Sequence, residues 1–156
     1  MEFKKVAVIG GGAAGFFAAI SVKENHPSHQ VILFEKTSKV LSKVRISGGG
    51  RCNVTHDCSD IPTLCDAYPR GGKKLKSIFY QFNINDTVDW FKTRGIPLKT
   101  ETDGRMFPIT DNSQSIIDCL ESEIKHLNVT LKFGQTIKNI EQDEKEWKLN
   151  FKDQPS

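Results

Sequence analysis

The chain has 156 residues, of which 37% are hydrophobic and 26% charged, and its formal net charge is +3. This length supports one domain with a substantial core, and the composition is that of an ordinary globular protein. No apolar run approaches the roughly 20 residues of a membrane-spanning helix, and no secretion signal precedes the first predicted strand. We therefore expect a cytoplasmic protein without a membrane partner.

The charge and cysteine patterns exclude two further classes of function. A net charge of +3 is too small to indicate a nucleic-acid partner, and we expect none. The basic cluster at Arg70, Lys73, Lys74 and Lys76 is interpreted as a solvated helix start rather than a phosphate-binding stripe. None of the four cysteines forms a C-x-x-C pair and the histidines complete no zinc pattern, so we expect reduced thiols and no metal.

The N-terminal segment carries the most informative pattern. An apolar run at 6–9 leads into Gly10, Gly12 and Gly15, which have the G-x-G-x-x-G spacing. A small-residue helix follows over about 13–24, then a second apolar strand, and then Glu35. In such a βαβ unit the glycines allow a tight turn, the approach of a pyrophosphate and close helix packing, while the acid binds a ribose hydroxyl. The pattern predicts an adenine dinucleotide site.

The remaining elements complete an α/β prediction. Residues 36–72 have little periodicity and are predicted to be a functional loop. Helical spacing predicts buried positions at Leu75, Ile78, Phe79 and Phe82, and Asn85 is a candidate N-cap. Strand 129–133 is expected to join a parallel sheet, followed by a small antiparallel β-meander. The predicted elements are helices at 73–82, 86–93 and 113–126, an extended run at 96–99 and hairpin strands at 136–140 and 147–151.

The loop contains three successive glycines, at 48–50, which remove every Cβ from a segment that must pass close to a flat or bulky group. We expect this loop to lie along a bound cofactor, with positive charge supplied by Lys36, Lys43, Arg45 and Arg51. Cys52 is interpreted as a small packing residue. The six-residue separation from Cys58 does not exclude a redox disulfide, but nothing else in the sequence supports one.

The strings ISGGGRCNVT (46–55) and ETDGRMFP (101–108) resemble a family of bacterial FAD-dependent oxidoreductases, which includes aminoacetone-oxidase-like and bile-acid-reductase-like enzymes. The resemblance implies a Rossmann-like FAD-binding domain. Together with the glycine turn, it implies contacts to the pyrophosphate from Gly10, Gly12, Ala14 and Gly15, and contacts to the ribose from Glu35 and Lys36. Along the rest of FAD the implied contacts are Lys43, Gly49, Gly50, Arg51, Cys52 and Asn53. The backbone of Ile137 is implied to contact the adenine.

The resemblance also implies that 1–156 is the N-terminal part of an FAD-binding domain, because members of the family are much longer. An inserted substrate-side domain and a closing C-terminal segment are then absent, and this chain alone is expected to bind FAD weakly and to show little turnover. The family enzymes imply hydride exchange between flavin N5 and a small organic substrate, with NAD(P)H as a possible electron donor. An NAD(P)-dependent reductase of the same fold and a non-catalytic or truncated dinucleotide-binding module remain alternatives, and no catalytic side chain is assigned.

Overall fold

The computed structural model describes residues 3–152, which divide into two compact units. One unit is built from the chain up to Lys43 and from Leu120 onward, and the other from Val44–Cys119. In chain order the elements are β1 (Lys5–Ile9), α1 (Ala13–Asn25), β2 (Gln30–Phe34), α2 (Ser42–Gly50), β3 (Thr55–His56), α3 (Ile61–Asp66), α4 (Gly72–Phe79), α5 (Ile84–Lys92), β4 (Leu98–Thr100), β5 (Arg105–Pro108), α6 (Ser113–His126), β6 (Thr130–Lys132), β7 (Ile137–Asp143) and β8 (Glu146–Phe151).

The first unit contains the predicted parallel sheet, in the order β1-β2-β6. Val8 pairs with Leu33, and Leu33 pairs in turn with Leu131. The central strand is the most buried, and α1 covers it with Phe16, which is fully buried. The three-stranded parallel sheet and the α/β class predicted from the sequence are therefore confirmed.

An antiparallel hairpin completes this unit. β7 pairs with β8, with a register irregularity between Ile137 and Asn139. The hairpin packs against the parallel sheet through Phe151, whose ring lies 5.4 Å from that of Phe34. At the opposite side, β1 pairs only with β2 among residues 3–152, and Ile9 at its end is half-exposed. One edge of the parallel sheet is thus open.

The second unit is organised around a small sheet in the order β3-β5-β4. Its core cluster joins Leu64, Ile84 and Met106, and half-buried Phe79 packs against them. Phe107, on the middle strand, is fully buried. No helix within residues 3–152 combines the length and the apolar character needed to cross a bilayer.

Several sequence-based predictions for this second unit are wrong. The segment 36–72 contains α2, β3 and α3 instead of one long loop. Residues 105–108, for which no strand was predicted, form the central strand of the small sheet. Ile78 and Phe82, predicted to be buried, are 54% and 39% exposed. These errors share a cause, since pairing and burial here depend on residues distant in sequence.

The cap of α5 also differs from the prediction. Asn83, not Asn85, is the N-cap, and its side-chain oxygen accepts a hydrogen bond from the Asn85 backbone N–H at 2.8 Å. The Asp86 carboxylate accepts reciprocally from the Asn83 N–H at 2.7 Å. This capping box satisfies two N–H groups that would otherwise lack partners, which fixes the helix start.

Packing at Gly15 gives the first test. A Cβ at this position would lie 1.9 Å from the Gly10 carbonyl oxygen, which is backbone and cannot rotate away. We expect Gly15→Ala to lower the free energy of unfolding by roughly 3 kcal/mol. Gly12→Ala is the matched control, because its Cβ would meet no atom within 4 Å, and it should cost less than about 1 kcal/mol. Equal losses in urea denaturation would contradict this account of the packing.

Candidate dinucleotide-binding site

The glycine turn after β1 presents backbone N–H donors that no side chain caps. Gly10 has φ of +104°, a conformation that favours glycine, and its N–H donates to the Phe34 carbonyl at 2.8 Å. Gly12 is the N-cap of α1, and no side chain caps the helix. The first turn also contains no acidic residue. Free N–H groups and the positive end of the helix dipole therefore form an environment suited to an anion.

The residues of the turn differ in what surrounds them. Gly12 and Ala14 are exposed, and the space a Cβ would fill at Gly12 is open. Gly15 is buried, so its contribution is the close packing of α1 rather than an exposed surface. Gly11 packs against Val40, because a Cβ on Gly11 would lie 2.7 Å from the Val40 Cγ1. The open position at Gly12 has the form that a pyrophosphate requires.

Glu35 is tied to this turn by hydrogen bonds. Its Oε2 accepts from the Gly11 N–H at 2.8 Å, and its Oε1 accepts from the N–H and hydroxyl of Thr37 at 2.8 and 2.9 Å. Burial raises the pKa of this carboxyl, but the hydrogen bonds from Thr37 and Gly11 outweigh that effect and hold the pKa below its ordinary value. A carboxylate has about four acceptor positions, so these donors leave about one for a ribose hydroxyl.

The connection between β6 and β7 lies against the backbone around Glu35. The Gln135 N–H donates to the Glu35 carbonyl at 2.9 Å, and the Gly134 N–H donates to the Thr37 carbonyl at 3.2 Å. Ile137, which is half-buried, follows Gln135 by two residues. Lys36 is exposed and its charge lowers the pKa of Glu35. The structure therefore groups the glycine turn, Glu35, Lys36 and the start of β7 in one unit, which also contains the exposed Lys43.

The triple glycine lies in the second unit. Gly48, Gly49 and Gly50 all adopt positive φ, at 56°, 69° and 87°. The segment kinks the end of α2, and the Cys52 N–H closes the turn by donating to the Ser47 carbonyl at 3.0 Å. The surroundings of these glycines differ. Gly48 packs against Phe107, whereas Gly49 faces open space. Gly49 leaves room for an approaching group, and a Cβ on Gly50 would only reach the Arg45 carbonyl oxygen at 4.0 Å.

Arg51 is held by partners that the sequence did not identify. Its guanidinium pairs with Glu101 and lies 3.9 Å from the centroid of the Phe107 ring. Hydrogen bonding to Glu101 raises the pKa of Arg51. Asp111 lies 3.7 Å from the same guanidinium and pairs with Lys99. Glu101 belongs to the string at 101–108, but nothing in that string indicates that it is the partner of Arg51.

Cys52 is buried and Asn53 exposed. Burial raises the pKa of the Cys52 thiol, against an opposing hydrogen bond from Ser47, and this disfavours the reactive thiolate. Cys52, Cys58 and Cys65 are free thiols. Cys52 also has φ of +63°, which is uncommon for a residue other than glycine and follows from the glycine run before it.

The hydrogen bonds of Glu35 make stability depend on pH. Because the folded-state pKa is lowered, the stabilisation is present at neutral pH and is lost as the pH falls below the ordinary value of 4.5. We expect Glu35→Gln to lower the free energy of unfolding by on the order of 1 kcal/mol at pH 7. The difference from the wild type should shrink by pH 4. Glu121→Gln removes the same charge from an exposed position and is the matched control in parallel denaturation curves. Equal losses in the two variants at pH 7 would contradict a specific role for the Glu35 hydrogen bonds.

The glycine loop allows a second matched comparison. Alanine at either Gly48 or Gly49 must adopt positive φ, which costs about 1–2 kcal/mol. Gly48→Ala also places a Cβ 2.7 Å from the Phe107 ring and 2.9 Å from the Asn53 nitrogen. We therefore expect Gly48→Ala to be the more destabilising by roughly 1–3 kcal/mol. Equal shifts in the midpoint of urea unfolding would contradict a packing role for Gly48.

Comparisons with known proteins agree with this geometry. The ribosomal RNA dihydrouridine synthase of Escherichia coli (strain K12) is 30% identical over 151 residues, which cover 97% of this chain and 36% of that protein. The 3-dehydro-bile acid delta(4,6)-reductase of Clostridium scindens is 26% identical over 136 residues, covering 87% of this chain and 32% of that protein. The chain thus spans about a third of the length of these curated relatives.

Solved structures share the fold. A flavocytochrome c3 fumarate reductase in an open conformation aligns with a TM-score of 0.65 at 19% identity, covering 92% of this chain and 29% of that one. THI4 of Thermovibrio ammonificans aligns with a TM-score of 0.58 at 12% identity, covering 94% and 45%. At these identities the likeness concerns the fold alone. A family model described as "HI0933-like protein Rossmann domain" matches residues 4–155, and the chain therefore belongs to this Rossmann-domain family.

Proposed function

We propose that this chain is the FAD-binding part of a flavin-dependent oxidoreductase, which exchanges a hydride between flavin N5 and an organic substrate. The observation that carries the proposal is the uncapped turn at Gly12 with Glu35 held beside it by the Gly11 N–H. A diphosphate and a ribose are the two groups that such a turn and acid recognise together. When bound, the flavin would supply the hydride chemistry, while the protein positions and shields it.

Each side chain then has a defined task. The N–H groups at the start of α1, around Gly12 and Ala14, bind the diphosphate. Glu35 accepts a hydrogen bond from a ribose hydroxyl, and Lys36 adds positive charge beside it. For Lys43, Gly49, Gly50, Arg51, Cys52 and Asn53, and for the Ile137 backbone, the assignment as cofactor contacts rests on the sequence motifs. The open space at Gly49 and the fixed guanidinium of Arg51 support that assignment locally.

The domain assignment is part of the same proposal. We infer that residues 1–156 form the N-terminal part of an FAD-binding domain, with an inserted substrate-side domain and a closing segment supplied by further sequence. The open edge of β1 and the chain's coverage of about a third of its relatives support this inference. An NAD(P)-dependent reductase is the alternative, because the same turn and acid recognise either dinucleotide.

The relatives bear on the reaction. The names of both describe reductions, one of a bile acid with 4,6 double bonds and one that yields dihydrouridine in ribosomal RNA. We infer that the substrate is an electron-poor double bond that accepts the hydride at one carbon and a proton at the other. A small organic molecule is one candidate for the carrier of this bond. A uridine in RNA is the second candidate, favoured by the E. coli relative and by a basic surface described below.

Flavin titration tests the cofactor. We expect the fluorescence of FAD to be quenched when it binds the chain. The affinity should be weak, because the proposed domain assignment places part of the FAD site on further sequence. Gly12→Ala should weaken binding at least tenfold, or about 1.4 kcal/mol, because its methyl group would occupy the space of the pyrophosphate. FMN lacks the adenosine and is the matched ligand control. Equal binding of FMN and FAD, or tighter binding of NADH than of either, would contradict the proposal.

A further inference from the structure

The turn between α3 and α4 contains a concentrated basic surface, which we term the basic groove. It comprises a groove of about 600 Å³ whose walls include Tyr68, Lys73, Lys74 and Lys76, with Arg70 on the adjoining turn. All five side chains are exposed. Nothing in the proposed cofactor site uses them.

The groove is a product of the way two short helices meet. α3 and α4 approach most closely where Gly72 lies over Cys65, since a Cβ on Gly72 would be 2.3 Å from the Cys65 carbonyl oxygen. The Tyr68 N–H donates to that same carbonyl at 3.0 Å, which sets the direction of the turn. Gly71 completes the turn with φ of +90°. The groove is therefore a fixed feature of this unit.

The charges of the basic groove are not neutralised within the described part of the chain. Arg70, Lys73, Lys74 and Lys76 form no ion pair with a carboxylate of residues 3–152, in contrast to the paired cations Arg51, Lys99 and Arg105. Asp66 is the one acidic residue that lines the groove. The nearby Asp60 carboxylate, which Lys76 influences, already caps α3 by accepting from Thr63. An excess of positive charge remains for an external anion.

Tyr68 gives the groove a flat, half-exposed aromatic surface. It is 44% exposed, and its ring packs at 5.6 Å against that of Phe79. Phe79 in turn packs against the core cluster of this unit, so the tyrosine is supported from behind. Proteins that bind single-stranded nucleic acids combine a basic groove with supported aromatic rings, on which bases stack.

The same packing disfavours a lipid surface as the partner. A helix that lies on a membrane inserts its apolar face, whereas α4 directs Phe79 into the core of the unit. The side that remains presents lysines around a concave groove with one aromatic wall, and Ile78 is the one large aliphatic side chain of α4 that is mostly exposed. That combination matches a chain of phosphates and bases.

We propose that the basic groove binds single-stranded RNA and docks it for the reaction. The inference rests on the proposed function, since it identifies the docking surface for the RNA candidate among its substrates. It departs from the expectations that the chain has no nucleic-acid partner and that these cations form only a solvated helix start. The lysines and Arg70 contact phosphates without reading sequence, and Tyr68 stacks on a base.

Fluorescence anisotropy with a labelled, uridine-rich single-stranded RNA of about 20 nucleotides tests the proposal. The groove variant is Arg70→Gln with Lys73→Gln and Lys74→Gln. The matched control removes the same charge from exposed positions on the β7–β8 hairpin, as Lys138→Gln with Lys145→Gln and Lys148→Gln. We expect the groove variant to raise Kd at least tenfold and the control to change it less than about threefold. Loss of three phosphate contacts should also reduce the slope of log K against log salt by about 2.

Further arms separate the possible outcomes. Tyr68→Leu, which retains apolar packing on Phe79, should weaken RNA binding several-fold through lost stacking. Equal Kd values for the two triple variants, or wild-type binding to phosphatidylserine vesicles but not to RNA, would overturn the proposal. FAD titration of the same samples distinguishes the two hypotheses. RNA binding without FAD binding supports the groove and refutes the proposed function, while FAD binding without RNA binding refutes the groove alone.

Discussion

The contact between Gly15 and the Gly10 carbonyl is the constraint on which the nucleotide-binding unit depends. With no Cβ between them, the first turn of α1 packs closely against the turn that follows β1. The same turn is tied to β2, because the Gly10 N–H donates to Phe34. Glu35, the next residue, is then brought within hydrogen-bonding distance of Gly11. One steric requirement thereby places both the uncapped helix start and the acid that accompanies it.

Charged side chains in both units are oriented before any ligand arrives. Glu35 is fixed by Thr37 and Gly11, and Arg51 by Glu101 and Phe107. Such internal partners reduce the conformational entropy lost on binding, and they restrict each group to one direction of approach. They also reduce the charge that each group presents. The basic groove differs in this respect, because its cations have no carboxylate paired with them among residues 3–152 and their field extends into solvent.

The contrast explains why net charge is a poor guide here. A value of +3 for the chain averages cations that are neutralised locally with cations that are not. Lys99 and Arg105 have carboxylates beside them, whereas Lys73 and Lys74 share one exposed groove with few acids. Electrostatic attraction of a polyanion depends on that local density within about a Debye length, roughly 10 Å at moderate salt.

The sequence by itself determined the βαβ unit, the third parallel strand and the C-terminal hairpin, because hydrophobic periodicity and glycine spacing are local signals. It also identified the glycine turn with Glu35, where conformation follows from nearby residues. Only the tertiary structure decided the small sheet of the second unit, in which Thr55 pairs with Met106. It alone selected Glu101 as the partner of Arg51, fifty residues away. Those choices depend on which distant segments meet, and no local pattern encodes that.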